Sequence, residues 1–136
     1  MTAAVAFDEA ALSGLIEEIG ADATLRILSV FLAETEITLE RISAMRNGTT
    51  PSQLADAAHT LKSTASTFGF SELAAAAVAL EAGVGQQIPT ATLNGMIDDL
   101  QAAFAAGRRA LASTRTASTQ KGSTQKGSGS DGRTAS

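Results

Sequence analysis

The chain contains no cysteine. That excludes disulfides, thiolate metal sites and cysteine nucleophiles, and it fits a cytoplasmic location. Tryptophan and tyrosine are also absent, and aromatic residues amount to 4% of the sequence. A core must therefore come from Leu, Ile, Val, Ala, Met and five Phe, a set that suits closely packed helices. Only two prolines occur, Pro51 and Pro89, so long stretches run without a backbone breaker. No apolar run is long enough to span a bilayer; the Ala-rich stretch from Leu73 to Leu80 is short and flanked by Glu72 and Glu81. Met1 to Phe7 lacks the basic and apolar regions of a signal peptide, so none is expected. A single histidine excludes most catalytic constellations built on that residue, and no Gly-rich phosphate loop follows a strand.

What is present is an acidic body and a short basic end. Residues 1–112 hold 13 acidic and 6 basic side chains, a net of −7, while residues 113–136 hold four basic ones against Asp131, a net of +3. The acidic body argues against nucleic acid as the main partner. The acidic pairs Glu17-Glu18 and Asp98-Asp99 are adjacent rather than at i,i+4 spacing, so they read as solvated faces and not as metal ligands.

The 136 residues suggest one domain, a helical body over 1–112, followed by a tail over 113–136. The tail repeats Ser-Thr-Gln-Lys-Gly at Ser118–Gly122 and Ser123–Gly127 and has no large apolar residue after Leu111. Such a composition cannot offset its ordering entropy and is expected to be disordered. Within the body, apolar residues recur at steps of three and four, and no segment alternates with period two. A first helix is expected from Asp8, as N-cap, to about Ile19, with Leu12, Leu15, Ile16 and Ile19 inward and Gly20 as its stop. Asp22 can cap a long second helix reaching about Arg46, with a stripe of Leu25, Leu28, Leu32, Leu39, Ile42 and Met45 and an Asn47-Gly48 end. A third begins near Pro51, with Thr50 as cap, and ends at Gly69. A fourth covers about 72–83 and is broken by Gly83 and Gly85; a fifth runs from Pro89 or Thr90 to about Leu111. The fold class predicted is all-α: an up-and-down four-helix bundle with a short extra N-terminal helix and a disordered C-terminal tail.

The third helix carries the chemistry. Leu54, Ala57, Ala58, Leu61, Ala65 and Phe68 form one narrow stripe. His59 lies roughly 150° from the centre of that stripe and should face solvent. Lys62, the only basic residue between Arg46 and Arg108, stands three residues further on and is its neighbour on the helix surface. Small residues flank the ring along the same face: Ala55, Ser63 and Ser66. A neutral imidazole is a good nucleophile towards phosphorus, and a nearby ammonium can partly neutralise the phosphoryl group it acquires. An exposed histidine with a lysine at i+3 also arises by chance on many helices, as part of a solvated face.

The run His59-Thr60-Leu61-Lys62-Ser63-Thr64-Ala65-Ser66-Thr67-Phe68-Gly69-Phe70 resembles the histidine-containing phosphotransfer (HPt) motif His-x-Leu-Lys-Gly-Ser-x-x-x-x-Gly. His59, Leu61, Lys62 and Gly69 match directly, and the Ser-Thr-Phe-Gly-Phe ending is similar to the phosphotransfer domain of chemotaxis histidine kinases. Ser63 stands where the family usually has Gly, and Thr64 where Ser or Gly is usual. The resemblance implies a phosphocarrier without a catalytic cycle of its own: His59 as phospho-acceptor, Lys62 holding phosphoryl oxygens, and transfer between a sensor or chemotaxis-type histidine kinase and a response-regulator receiver. No resident cofactor is implied, since Mg²⁺ would come with the partner. In the chemotaxis branch a glutamate on the next helix hydrogen-bonds the accepting imidazole, and Glu81 falls at the matching spacing; its other reading is a solvated surface acid.

Ala55, Lys62, Ser63 and Ser66 share the His59 side of the helix and are the expected docking face for a receiver. Ile27, Val30 and Phe31 form a second apolar cluster on the second helix, which either packs against the first helix or adds an exposed patch to that face. The competing function is a helical adaptor that binds a receiver or another signalling partner without carrying phosphate. A cytoplasmic monomer, engaging neither membrane nor nucleic acid, is expected on either reading.

Overall fold

The structure, a computed structural model, describes residues 5–46 and 51–126, with side-chain surroundings through Thr114. Five helices follow one another: α1 (Glu9–Ile19), α2 (Ala21–Ala44), α3 (Pro51–Thr67), α4 (Ser71–Gly85) and α5 (Thr90–Lys126). There is no strand among the described residues. Helix α3 packs most extensively on α4 and α4 on α5, while α2 closes the bundle by touching both α3 and α5; α1 lies against α2. This is the all-α bundle with an added N-terminal helix that the recurrence of apolar residues at steps of three and four predicts.

The five phenylalanines of the chain form a single cluster at the α3–α4 turn. Phe70 is fully buried and meets Phe7 at 5.8 Å, Phe31 at 5.1 Å and Phe104 at 6.0 Å between ring centroids. Phe31 in turn stacks on Phe68 at 4.7 Å. On α5 the ring of Phe70 lies against Gly107, where a Cβ would come within 2.5 Å of it. The turn that presents Phe70 depends on Gly69, whose φ of +78° disfavours L side chains. The N-terminal segment crosses this turn, held by Asp8 N–H donating to the Gly69 carbonyl (2.7 Å) and Glu72 N–H donating to the Val5 carbonyl (2.8 Å). A Cβ on Gly69 would collide with the Asp8 carbonyl oxygen, so the residue is fixed by space as well as by φ.

Several boundaries differ from the sequence expectation. Asp8 does cap α1, its Oδ1 accepting from Ala10 N–H at 3.0 Å. Asp22 does not cap α2: the N-cap is Gly20, with no side-chain cap, and Asp22 sits inside the first turn. A single residue at φ +89° is enough to end α1 and begin α2, which leaves no room for a separate cap. Thr24 ties its hydroxyl back to the Gly20 carbonyl at 2.7 Å. The buried stripe of α2 is also rotated from the expected one, comprising Thr24, Leu28, Phe31, Thr35, Leu39 and Ile42 and leaving Leu25 exposed. The proposed end signal Asn47-Gly48 and the Thr50 cap lie outside the described residues.

Gly83 does not break α4, which continues to Gly85. It is buried, and a Cβ there would approach Ile88 Cδ1 to 2.7 Å and Met96 Sδ to 3.2 Å, so its role is to let the α4–α5 connection fold back closely. Helix α5 likewise runs past the expected end near Leu111, to Lys126. From Ala112 to Lys121 the sequence offers neither glycine nor proline to stop it. Leu111 is the last residue to join the core, and residues 127–136 lie outside the described part.

Removing the central ring should be costly. Phe70→Ala is expected to lower stability by about 3–5 kcal/mol, the usual cost of emptying an aromatic core site, whereas the partly buried Phe7→Ala should cost less. Urea unfolding followed by circular dichroism reads both, and equal losses would contradict the central position of Phe70.

Candidate functional site

The site begins with how closely α3 and α4 approach. Ala58 and Ala65 on α3 and Ala77 on α4 are fully buried, and Ala74 nearly so. Methyl side chains at these positions keep the two helices close, so longer side chains on their shared outer edge can meet. His59, one residue beyond Ala58, points away from the buried stripe of Leu54, Ala58, Leu61 and Ala65, as its angular position predicts. Its side chain is 59% exposed.

Across the helix pair, Glu81 reaches the ring. Its carboxylate oxygens lie 3.2 and 3.4 Å from His59 Nδ1, and its own side chain is 37% exposed. An ionised carboxylate can only accept, so this contact requires a proton on Nδ1. In the neutral ring the lone pair then resides on Nε2, which makes no hydrogen bond among the described residues. The pair thus fixes the orientation of the imidazole and selects the nitrogen left free to react.

Lys62 follows on the same surface, half-buried and without a hydrogen bond or ion pair among the described residues. Arg46 is paired with Asp98 at 2.5 Å and Arg108 with Glu36, whereas Lys62 has no such acid beside it among the described residues. Lys62 is therefore left available to an incoming anion beside the ring. Ser63 and Ser66 are exposed and Ala55 is half-buried along the same face. The neighbouring threonines are occupied by their own helix: Thr64 donates to the Leu61 carbonyl at 3.2 Å and Thr67 to the Ser63 carbonyl at 3.1 Å.

Phe31 is placed differently from the exposed-patch reading. It is only 5% exposed and belongs to the aromatic core, while Ile27 and Val30 are exposed, Val30 at 61%. The three residues satisfied one helical spacing in the sequence, but Phe31 alone lies on the inner side, where Phe68 and Phe70 receive it. Sequence reasoning passed over Thr35, Thr60 and Thr64, which line an apolar groove between α2 and α3; threonine gives no periodic signal that separates groove from surface. No group of three or more His, Cys, Asp or Glu side chains able to hold a metal occurs among the described residues. Nor is any helix among them long and apolar enough to cross a membrane.

The family model of the Hpt domain matches residues 26–106, more than half of the chain, and the chain belongs to that family. The match runs from the second turn of α2 into the first half of α5 and includes His59, Lys62 and Glu81. No curated protein and no solved structure matches the chain. Hpt domains act in histidine phosphotransfer within phosphorelays, as phosphocarrier modules working with kinases and response-regulator receivers.

The Glu81 contact has a spectroscopic consequence. Glu81→Ala is expected to shift the neutral ring of His59 from the Nδ1–H tautomer towards Nε2–H, read from the nitrogen-15 shifts of the two ring atoms. An unchanged tautomer ratio would show that the carboxylate does not set it.

Proposed function

We propose that this chain carries a phosphoryl group on Nε2 of His59 between a sensor or chemotaxis-type histidine kinase, or a receiver aspartate, and a response-regulator receiver. The observation that carries the reading is the exposed imidazole held at Nδ1 by Glu81, with Nε2 unoccupied. Taking an aspartyl phosphate as donor, the Nε2 lone pair attacks phosphorus in line with the leaving carboxylate. The N–P bond forms as the P–O bond to aspartate breaks, and the aspartate departs as a carboxylate. The Nδ1 proton stays in place, so the ring becomes cationic, and the Glu81 carboxylate stabilises that charge. Lys62 draws the phosphoryl oxygens towards the α3 surface and lowers the repulsion between them and the acidic body.

The rest of the machinery belongs to the partner. Phosphoryl transfer asks chiefly for positioning and charge neutralisation. This chain offers a rigid helix, one oriented nucleophile and one ammonium. The receiver brings Mg²⁺ and its own acidic pocket. Ala55, Ser63 and Ser66 form the surface on which it seats, because their small side chains leave the ring accessible. Ser63, in place of the family's usual glycine, keeps that surface low. Phe31 supports this face only from beneath, through Phe68. The chain works as a monomeric carrier in the cytoplasm, where such kinases and receivers meet.

Loading of the purified chain by phosphorylated receivers with Mg²⁺ tests the reading. Acid-labile label is expected on the parent chain and none on His59→Gln. Lys62→Ala and Glu81→Gln should each slow loading about tenfold, the equivalent of one charge-assisted hydrogen bond. Absence of acid-labile label from receivers and from kinase with ATP alike would leave a non-phosphorylated adaptor as the function.

A further inference from the structure

A groove of about 450 Å³ opens between α2 and α3, on the side of α3 away from Glu81. Phe31, Leu61 and Phe68 form its apolar base, and Ile27 and Val30 form one wall. Its size is within the range of small-molecule sites. Two polar groups interrupt this lining, one buried and one exposed at the rim. Thr35 is 3% exposed, yet its hydroxyl has no hydrogen-bond partner among the described residues. A buried hydroxyl without a partner is costly, and here the groove is the open space beside it. Glu34 is the one charged residue lining the groove, and its carboxylate makes no ion pair among the described residues, whereas Glu36 two positions on is paired with Arg108.

We infer that this groove binds a small organic amine, with an apolar body against Phe31, Leu61 and Phe68, a polar atom reaching the Thr35 hydroxyl and an ammonium group paired with Glu34. The two polar features select this occupant. A flat protein surface laid over the groove would leave a hydroxyl below the rim unreached, whereas a molecule that enters the groove can bond it. A lone carboxylate beside an apolar wall selects a cation attached to an apolar body. The site is separate from the His59–Glu81 pair, so binding does not depend on the phosphocarrier reading. Thr60, on the α3 side of the groove, adjoins His59 in sequence, but His59 itself is not among the lining residues.

Tryptamine serves as the probe, with 3-ethylindole as the same body lacking the ammonium group, titrated into the full chain and followed by amide chemical shifts. Saturable shifts are expected at Thr35, Thr38, Thr60 and Thr64, with 3-ethylindole binding about threefold more weakly, as suits an ion pair to an exposed carboxylate. Glu34→Gln should abolish that difference between the probes. Thr35→Val should weaken both while leaving the unfolding midpoint unchanged or raised, since it removes an unpaired buried hydroxyl. Shifts that do not saturate in the millimolar range, or a Glu34→Gln variant that still prefers tryptamine, would overturn the site. If amines fail to bind and Val30→Glu instead blocks loading by phosphorylated receivers, the groove belongs to a protein partner and the amine site is wrong. The His59→Gln variant should bind tryptamine like the parent, which separates this result from the outcome of the loading assay.

Discussion

The packing of Phe70 at the α3–α4 turn is the constraint on which the rest of the structure depends. Its ring fills the space where the N-terminal segment, α2 and α5 converge, and it follows directly on the glycine that reverses the chain. With that ring seated, α3 and α4 leave the turn side by side. Their alanine-lined interface then keeps them close for several turns, out to where His59 and Glu81 face each other. The reactive pair is therefore positioned from a distance, by an aromatic anchor and a strip of methyl groups, without any irregular backbone at the site itself. An imidazole mounted this way has little freedom to wander, which suits a group that must be met by another protein in one orientation.

How much of this was legible in the sequence depends on which signals were unambiguous. On α3 the stripe of Leu54, Ala58, Leu61 and Ala65 has no competitor, so the outward position of His59 followed directly from helical geometry. On α2 two overlapping sets of residues satisfy the same spacing. The expected set included Leu25, which is exposed, and omitted Thr24, Phe31 and Thr35, which the structure buries beside Leu28, Leu39 and Ile42. Threonine weighs little on any hydrophobicity scale, so a stripe that includes two of them is easily misjudged by part of a turn. Glycine misled in a similar way. Gly69 reverses the chain as expected, but Gly83 is required for the closeness of Ile88 and Met96, and nothing in its sequence neighbourhood separates the two roles. The Glu81 contact was suggested by family resemblance; spacing alone could not have set a carboxylate on a different helix against a particular ring nitrogen.

The charge distribution completes the picture. Helices α3 and α4 together carry one cation, Lys62, among Asp56, Glu72 and Glu81. Two arginines brace the α2 side against α5, through Arg46 with Asp98 and Arg108 with Glu36, while Arg26, Arg41 and Arg109 lie on α2 and α5. The α3–α4 pair thus keeps a single ammonium beside the exposed imidazole. On that acidic surface the ammonium is the one fixed positive charge of these two helices that an incoming anionic group can meet near the ring.

Helix α1 has no buried residue, and Ile16 and Ile19 stay largely in water. It is joined to α2 through one glycine and fastened at its other end by Phe7 and the Asp8–Gly69 hydrogen bond. Leu12 and Leu15 lean on the core without being enclosed by it. The helix is thus an outer brace, and the helices that bear the reactive face bury their stripes against one another.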